Sequence, residues 1–207
     1  MPESNYKKFN HLKIHSQYSI CEGAVKIDDL KDKSKELKIK SLGICDTSNL
    51  SGAIEFSDKL SKVGTQPIIG TQINFKFEDT FGLLPLFALN EIGYKKIIEL
   101  SSKSYLKNDE ISEPYLDIKE LFKLDNYGIS IFSGTVFGLF GKLFNKGKLL
   151  EISNLYKNIS KNFENRFYLE IQRHNDNNEN SFEKFNLNQS NELKIPIIAT
   201  NEVFYLT

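Results

Sequence analysis

The sequence predicts an α/β domain built as a barrel. Short apolar runs alternate with longer amphipathic stretches along its 207 residues, which is the pattern of repeated strand and helix units. Polar side chains stand at or just after the ends of these apolar runs, and in a barrel such ends ring one mouth, where active sites are built. An open doubly wound sheet has the same periodicity. The position of the polar residues therefore favours the barrel.

The strands are predicted from seven short apolar runs. In chain order they cover residues 9–15, 41–46, 67–75, 84–89, 129–134, 167–172 and 195–200. The polar residues expected at the mouth are His11 and His15, Asp46, Gln72, Ser133, Glu170 to His174, and Asn201 with Glu202.

The helices are predicted from stretches that carry apolar residues at intervals of three and four. They cover residues 25–39, 51–64, 90–102, 116–124, 138–148, 152–163 and 180–194. Asn90 is expected to cap the third helix. No linker or internal repeat divides the chain, so one domain over residues 1–207 is expected. The last strand is followed by no closing helix, which predicts a piece of a longer protein.

Composition restricts the class of protein. The 27 basic and 27 acidic side chains cancel, so no overall charge favours nucleic acid, and the 40% apolar content with 16 Phe can form a core. Cys21 and Cys45 have no CxxC partner, which excludes a disulfide scaffold and favours two buried thiols in a reducing cytosol. Neither a signal peptide nor a membrane span is recognisable. A cytoplasmic location is expected.

Two histidines stand close together in HLKIHSQYS, residues 11–19. His11 and His15 could begin a zinc or manganese centre. Lys13 lies between them, and an ammonium group has no lone pair to donate and repels a cation. The pattern therefore favours a site that is filled by the protein's own charge, with His11 as a hydrogen-bonded histidine and not a ligand.

Five sequence blocks carry a resemblance to a known family. FNHLKIHSQYSICEG, LGICDTSNLSGAIEF, QPIIGTQINF, LNEIGYKKIIELSS and IPIIATNEVFYL, in this order, resemble the PHP (polymerase and histidinol phosphatase) domain of bacterial DNA polymerase III alpha subunits. The resemblance implies a distorted (β/α)7 barrel of the PHP type. In active members, histidines and carboxylates at the barrel mouth hold a cluster of metal ions.

Carried over by position, the resemblance implies a degenerate metal site. Lys13 stands where active members have the first histidine of HxH, and His15 matches the second. Thr47 and Gln72 stand where active members have a histidine and a glutamate. Phe204 stands in place of the final histidine.

The ligand types that remain are too few for a cluster of ions. They are His15, Glu22, His174 and Glu202. Cations held close together need several anionic ligands, whereas two carboxylates are left here and Lys13 adds a positive charge. We expect no catalytic residue, no metal cluster and no cofactor in this domain, with one weakly held ion as the alternative. Lys13 is expected to pair with Glu22 or Glu202, or else to point to solvent.

Three functions are consistent with the resemblance. The first is a structural module of a replicative DNA polymerase, which braces the remaining polymerase domains and docks a proofreading exonuclease subunit. Polymerisation, with Mg²⁺, and contact with DNA would then belong to other domains of the parent protein, beyond residue 207. The second is a metal-dependent 3′–5′ exonuclease or phosphoesterase. The third is a stand-alone histidinol-phosphate phosphatase relative, against which LNEIGYKKIIELSS and QPIIGTQINF count.

Overall fold

The computed structural model describes residues 9–106, 113–123 and 127–206. Within them, nine strands form one sheet that curls into a half-barrel. The strands are β1 Lys13–Ile14, β2 Ser41–Thr47, β3 Gln66–Phe77, β4 Thr80–Ala88, β5 Leu116–Asp117, β6 Ile129–Phe132, β7 Phe167–Ile171, β8 Ile197–Ala199 and β9 Glu202–Val203. The helices are α1 Ile27–Leu37, α2 Ala53–Lys62, α3 Glu91–Leu106, α4 Glu120–Lys123, α5 Leu139–Asn145, α6 Leu149–Asn162 and α7 Glu179–Leu193.

The sheet brings most carboxyl ends of its strands to one end of the half-barrel. Its order is β8-β7-β6-β4-β3-β2-β1-β9, and β5 pairs with β3 outside this path. β4 is antiparallel to both of its neighbours, whereas the other pairs along the path are parallel. The carboxyl ends of β1, β2, β6, β7, β8 and β9 therefore surround a common mouth.

The predicted fold class is confirmed, and its details differ from the expected uniform units. Each of the seven predicted helices is present, although the fourth shortens to one turn and its predicted last residue, Leu124, lies outside the described residues. The first strand has two residues where seven were predicted, and β5 and β9 were not predicted. Strands this short carry too little of an alternating pattern to be recognised. β3 and β4 form an antiparallel hairpin without a helix between them, because only the two-residue turn 78–79 connects them.

β1 lies unusually close to β2 because of one glycine. A Cβ atom on Gly43 would stand 2.4 Å from the carbonyl oxygen of Leu12, which is closer than real contacts allow. The amide of Gly43 donates a hydrogen bond of 2.8 Å to the carbonyl oxygen of His11. Gly43 therefore sets the position of the β1 backbone, and with it the position of Lys13 and His15.

Three apolar clusters pack on the curled sheet, and two of them join it to helices. The larger joins β3, β4, β6 and β7 to α3, α5 and α6, and the second joins β1 and β2 to α1 and α2. The amide of Gly93 donates to Oδ1 of Asn90 at 2.9 Å, so the predicted cap of α3 is present. Each side of the sheet is thus fixed by its own helices, and the mouth lies between them.

The cysteine prediction holds at one of its two positions. Cys45 is buried, whereas Cys21 is exposed, because it lies in the turn after β1 with a φ angle of 66°. No helix of the described residues is long and apolar enough to cross a membrane. The cytoplasmic location stays a prediction.

Candidate functional site

Lys13 is a buried cation beneath the barrel mouth. Its side chain is 1% exposed, and Nζ donates to Oε1 of Glu170 at 3.1 Å and to Oε1 of Glu202. Burial opposes the charged form of Lys13, but the charges of Glu170 and Glu202 outweigh it and raise its pKa. β1 thus delivers a fixed ammonium group to two carboxylates from β7 and β9.

Glu202 receives a second partner from β1. Nε2 of His15 is hydrogen-bonded to Oε2 of Glu202. Burial opposes ionisation of Glu202, but the hydrogen bond from His15 and the charge of Lys13 prevail and lower its pKa to about 2. The ring of Phe204 stacks on His15, with 4.5 Å between centroids and an interplanar angle of 14°. His15 and Glu202, two of the candidate single-ion ligands, are therefore already bonded to each other.

Glu170 is the residue of the site whose role the sequence interpretation missed. Its Oε1 accepts hydrogen bonds from Nε2 of Gln172 at 3.1 Å and from the hydroxyl of Thr200, in addition to Lys13. Its amide donates to Oγ of Ser133 at 2.9 Å. No donor among the described residues reaches Oε2 of Glu170. A carboxylate inside the apolar strand FYLEI was the available signal, since a buried charge needs a partner.

Asp46, one of the polar residues expected at the mouth, holds a loop in place. Its Oδ1 accepts hydrogen bonds from the amide of Ser16 at 2.6 Å and from Oγ of Ser19 at 2.7 Å. Its Oδ2 accepts one from Oγ of Ser16 at 2.8 Å. These bonds fix the turn after β1 to the end of β2, so Asp46 clamps the chain at the edge of the mouth.

Glu22, Thr47 and Gln72 form a separate polar chain. Oγ1 of Thr47 donates to Oε2 of Glu22 at 2.6 Å, and Nε2 of Gln72 donates to Oγ1 of Thr47 at 3.5 Å. Of the two pairings expected for Lys13, the one with Glu202 is present and the one with Glu22 is absent, because Glu22 bonds to Thr47 instead. The alternative in which Lys13 points to solvent is wrong, since its side chain is buried.

The two remaining histidines lie apart from the ammonium group. The exposed His174 holds its Nε2 at 3.2 Å from Oε1 of Gln172, and its amide donates to Oε2 of Glu179 at 2.7 Å. His11 precedes β1 and so stands away from the mouth, which corrects its predicted place there. Its Nδ1 has no hydrogen-bond partner among the described residues, so the expected hydrogen bond is not made through this atom. Burial lowers its pKa.

A cavity of about 570 Å³ opens at the mouth, and we call it the mouth pocket. Five of the predicted site positions line it: Glu22, Gln72, His174, Glu202 and Phe204. Lys13 and His15 are buried and bond to Glu202, which is part of the pocket wall. In the three described stretches of chain, no group of three or more His, Cys, Asp and Glu side chains is arranged to hold a metal ion.

Comparison with known proteins identifies a family whose sequence pattern this chain matches. The PHP domain family profile matches residues 11–174. DNA polymerase III subunit alpha of Buchnera aphidicola subsp. Schizaphis graminum is 37% identical over 207 residues, and that of Caulobacter vibrioides is 33% identical over 218 residues. These matches cover 98% and 99% of this chain but 18% of the length of each relative.

A solved structure supports the fold alone. An amidohydrolase from Chromobacterium violaceum, solved with bound sulfate and no metal, superposes with a TM-score of 0.56 at 9% identity. The superposition covers 94% of this chain and 87% of that one.

Proposed function

The chain belongs to the PHP domain family, and from this membership we propose that it is a PHP domain of a DNA polymerase III alpha subunit that works without metals, as a structural and docking module. The observation that carries the proposal is the buried Lys13 ammonium between Glu170 and Glu202. The positive charge of Lys13 stabilises these two carboxylates, which a metal ion at the mouth would otherwise need as ligands.

The residues present do not fit the metal cluster of active family members. A divalent ion beside Glu202 would be repelled by Lys13, and this repulsion is strong in a buried, weakly polar site. It would also have to displace His15 from Glu202. Thr47 and Gln72 supply no negative charge in compensation. We therefore assign no metal-dependent step to this domain.

The activity of the parent protein is proposed on the same basis. The relatives are DNA polymerase subunits, and this chain corresponds to 18% of their length. We assign DNA polymerisation, with its Mg²⁺ and its contacts to DNA, to parts of the parent protein outside this chain. The PHP domain would brace those parts and bind a proofreading exonuclease subunit.

The docking function is tested by a binding titration between the full-length polymerase subunit and its cognate exonuclease subunit. We expect a saturable complex for the intact subunit and a large loss of affinity for a subunit that lacks residues 1–207. A subunit without this domain that binds the exonuclease as tightly as the intact one would contradict the assignment.

One observation favours a metal-dependent phosphoesterase as a second candidate. Glu22, His174 and Glu202 line the same mouth pocket, and all three are ligand types. They would have to hold an ion a short distance from the Lys13 ammonium, which bonds directly to Glu202. The metal content of the purified full-length protein separates the two candidates.

A further inference from the structure

We propose that the mouth pocket receives a positively charged side chain, an arginine or a lysine, from an extended segment of the exonuclease subunit. This inference rests on the proposed docking function and specifies the chemistry of the docked segment. The pocket that active relatives use for metal-dependent chemistry would here be a socket for a cationic residue.

The charge of the pocket wall favours a cation. Glu22, Glu179 and Glu202 line the pocket, and no lysine or arginine of the described residues does so. Lys13 and His15 bond to Glu202 from behind the wall, and neither of them lines the pocket. A concave wall with this excess of negative charge concentrates cations and repels phosphate groups. A nucleotide or a nucleic acid is therefore a poor occupant.

Aromatic side chains at the pocket also favour a cationic side chain as the occupant. Phe137 and Tyr205 line the pocket with 64% and 67% of their surface exposed, and Phe204 lines it as well. Guanidinium and ammonium groups are attracted to aromatic faces, and their apolar stems pack against such rings. Tyrosine and arginine are also enriched among the residues that dominate binding energy in protein interfaces.

An acceptor without a donor lies directly behind this wall. Oε2 of Glu170 is fully buried and has no hydrogen-bond partner among the described residues. Glu170 lines a small cavity that shares Thr135, Gln172 and Glu179 with the mouth pocket. Unpaired buried carboxylate oxygens are unfavourable, and an incoming cation reduces that cost. Glu170 does not itself line the mouth pocket, so this oxygen adds negative charge behind the wall and is not a direct contact for the docked side chain.

The test measures binding of the exonuclease subunit to the full-length polymerase subunit as a function of salt. The informative charge variant is Glu22→Gln, because Glu22 is exposed and bonds only through a neighbouring threonine. Glu179 is unsuitable, since it accepts backbone hydrogen bonds at the start of α7. The matched control is Glu164→Gln, an exposed glutamate that precedes β7 and so lies at the other end of the half-barrel.

We expect Glu22→Gln to weaken binding by about tenfold at low salt and to reduce its salt dependence, whereas Glu164→Gln leaves both unchanged. Tyr205→Phe keeps the aromatic face and should bind as the wild type does. Tyr205→Leu keeps the apolar surface but removes that face, and we expect a loss of about threefold. Thermal melting of each variant verifies that the fold is retained.

The outcomes separate the two proposals. If the wild-type subunits do not associate, the docking function fails and this inference fails with it. If they associate and the Glu22 and Tyr205 variants bind as the wild type does, docking stands and the cationic socket is wrong. A 5′-mononucleotide that competes with the exonuclease for the pocket would also overturn the inference, provided that it competes as well in the Glu22→Gln variant as in the wild type.

Discussion

At the scale of single residues, Lys13 decides the chemistry of the mouth. Its ammonium group is covalently attached and cannot dissociate, unlike a metal ion, so the charge of the site does not depend on metal supply. It also cannot activate a water molecule, since it has no open coordination position. Glu170 and Glu202 could otherwise bind a metal ion, but their ion pairs with Lys13 instead hold β1, β7 and β9 together.

Replacement of Lys13 by methionine should destabilise the fold strongly. The variant leaves Glu170 and Glu202 buried without their shared cation, and loss of one partner of a buried ion pair typically costs about 3–5 kcal/mol. Urea denaturation measures the change. The matched control is Lys33→Met, because the Lys33 side chain on α1 is 40% exposed and, among the described residues, pairs only with the exposed Glu36. The unfolding midpoint of this variant should not move. A Lys13→Met variant as stable as the wild type would contradict the buried ion pair.

Glu202 should make the stability of the fold depend on pH in a defined range. Its pKa in the fold is about 2 and its usual value is 4.5, so the ionised form is stabilised by folding. That contribution is complete above about pH 4.5 and is lost as the pH falls towards 2, and it amounts to about 3 kcal/mol.

The measurement compares urea unfolding of the wild type and Glu202→Gln between pH 6 and pH 3. The advantage of the wild type over the variant should shrink as the pH falls from 4.5. A difference that stays constant across this range would mean that Glu202 does not change its protonation state in the manner described.

At the scale of elements, the site depends on how closely β1 is held against β2. β1 has only two residues in its strand pairing, so it has little stability of its own. Asp46 at the end of β2 fixes the turn that follows β1 through Ser16 and Ser19. Gly43, also on β2, allows the close approach of Leu12 at the start of β1. The position of Lys13 thus follows from two features of β2.

The Gly43→Ala substitution should separate these two strands. The new methyl group would meet the carbonyl oxygen of Leu12 at 2.4 Å, and backbone atoms cannot move aside as a side chain can. Overpacking of this kind costs about 3 kcal/mol. Thermal unfolding measures the loss, and hydrogen exchange should show faster exchange of the His15 amide, which bonds to Val203 of β9. Unchanged exchange at His15 would show that the contact relaxes elsewhere.

At the scale of the whole molecule, the half-barrel belongs to the PHP domain family, and side chains of opposite charge pair with each other beneath its mouth. The strands still deliver their polar residues to one end, as the fold class requires. The residues delivered there are linked mainly to each other. Under the function that we propose, this framework serves as a rigid support for other domains or subunits.

The purified full-length protein should retain no tightly bound metal. After dialysis against buffer with micromolar Zn²⁺ or Mn²⁺ and a desalting step, we expect well below one ion per chain by mass spectrometry, because the ammonium group of Lys13 repels a cation next to Glu202. Bovine serum albumin without added metal serves as the background control. Two or three ions per chain, retained after desalting, would favour the phosphoesterase candidate and contradict the metal-free module.

Much of the architecture is determined by the sequence itself. Five of the seven helices in the described residues are ten or more residues long, and an amphipathic period is recognisable over that length, whereas α4 and α5 are shorter. The replacement of ligand types at Lys13, Thr47 and Gln72 is likewise a property of residue identity, so the expectation of a degenerate metal site needed no coordinates. The short strands β5 and β9 were missed, since two residues contain no period.

Only the tertiary structure decided which groups Lys13 would meet. Its partner Glu170 is 157 positions away in the chain, and no local pattern connects residues at such a separation. The sequence pattern also left Glu22 and Glu202 as equal candidates, and packing selected Glu202 because β9 pairs directly with β1. Local periodicity thus predicts the elements, whereas the pairing of a buried charge depends on the order in which strands assemble in the sheet.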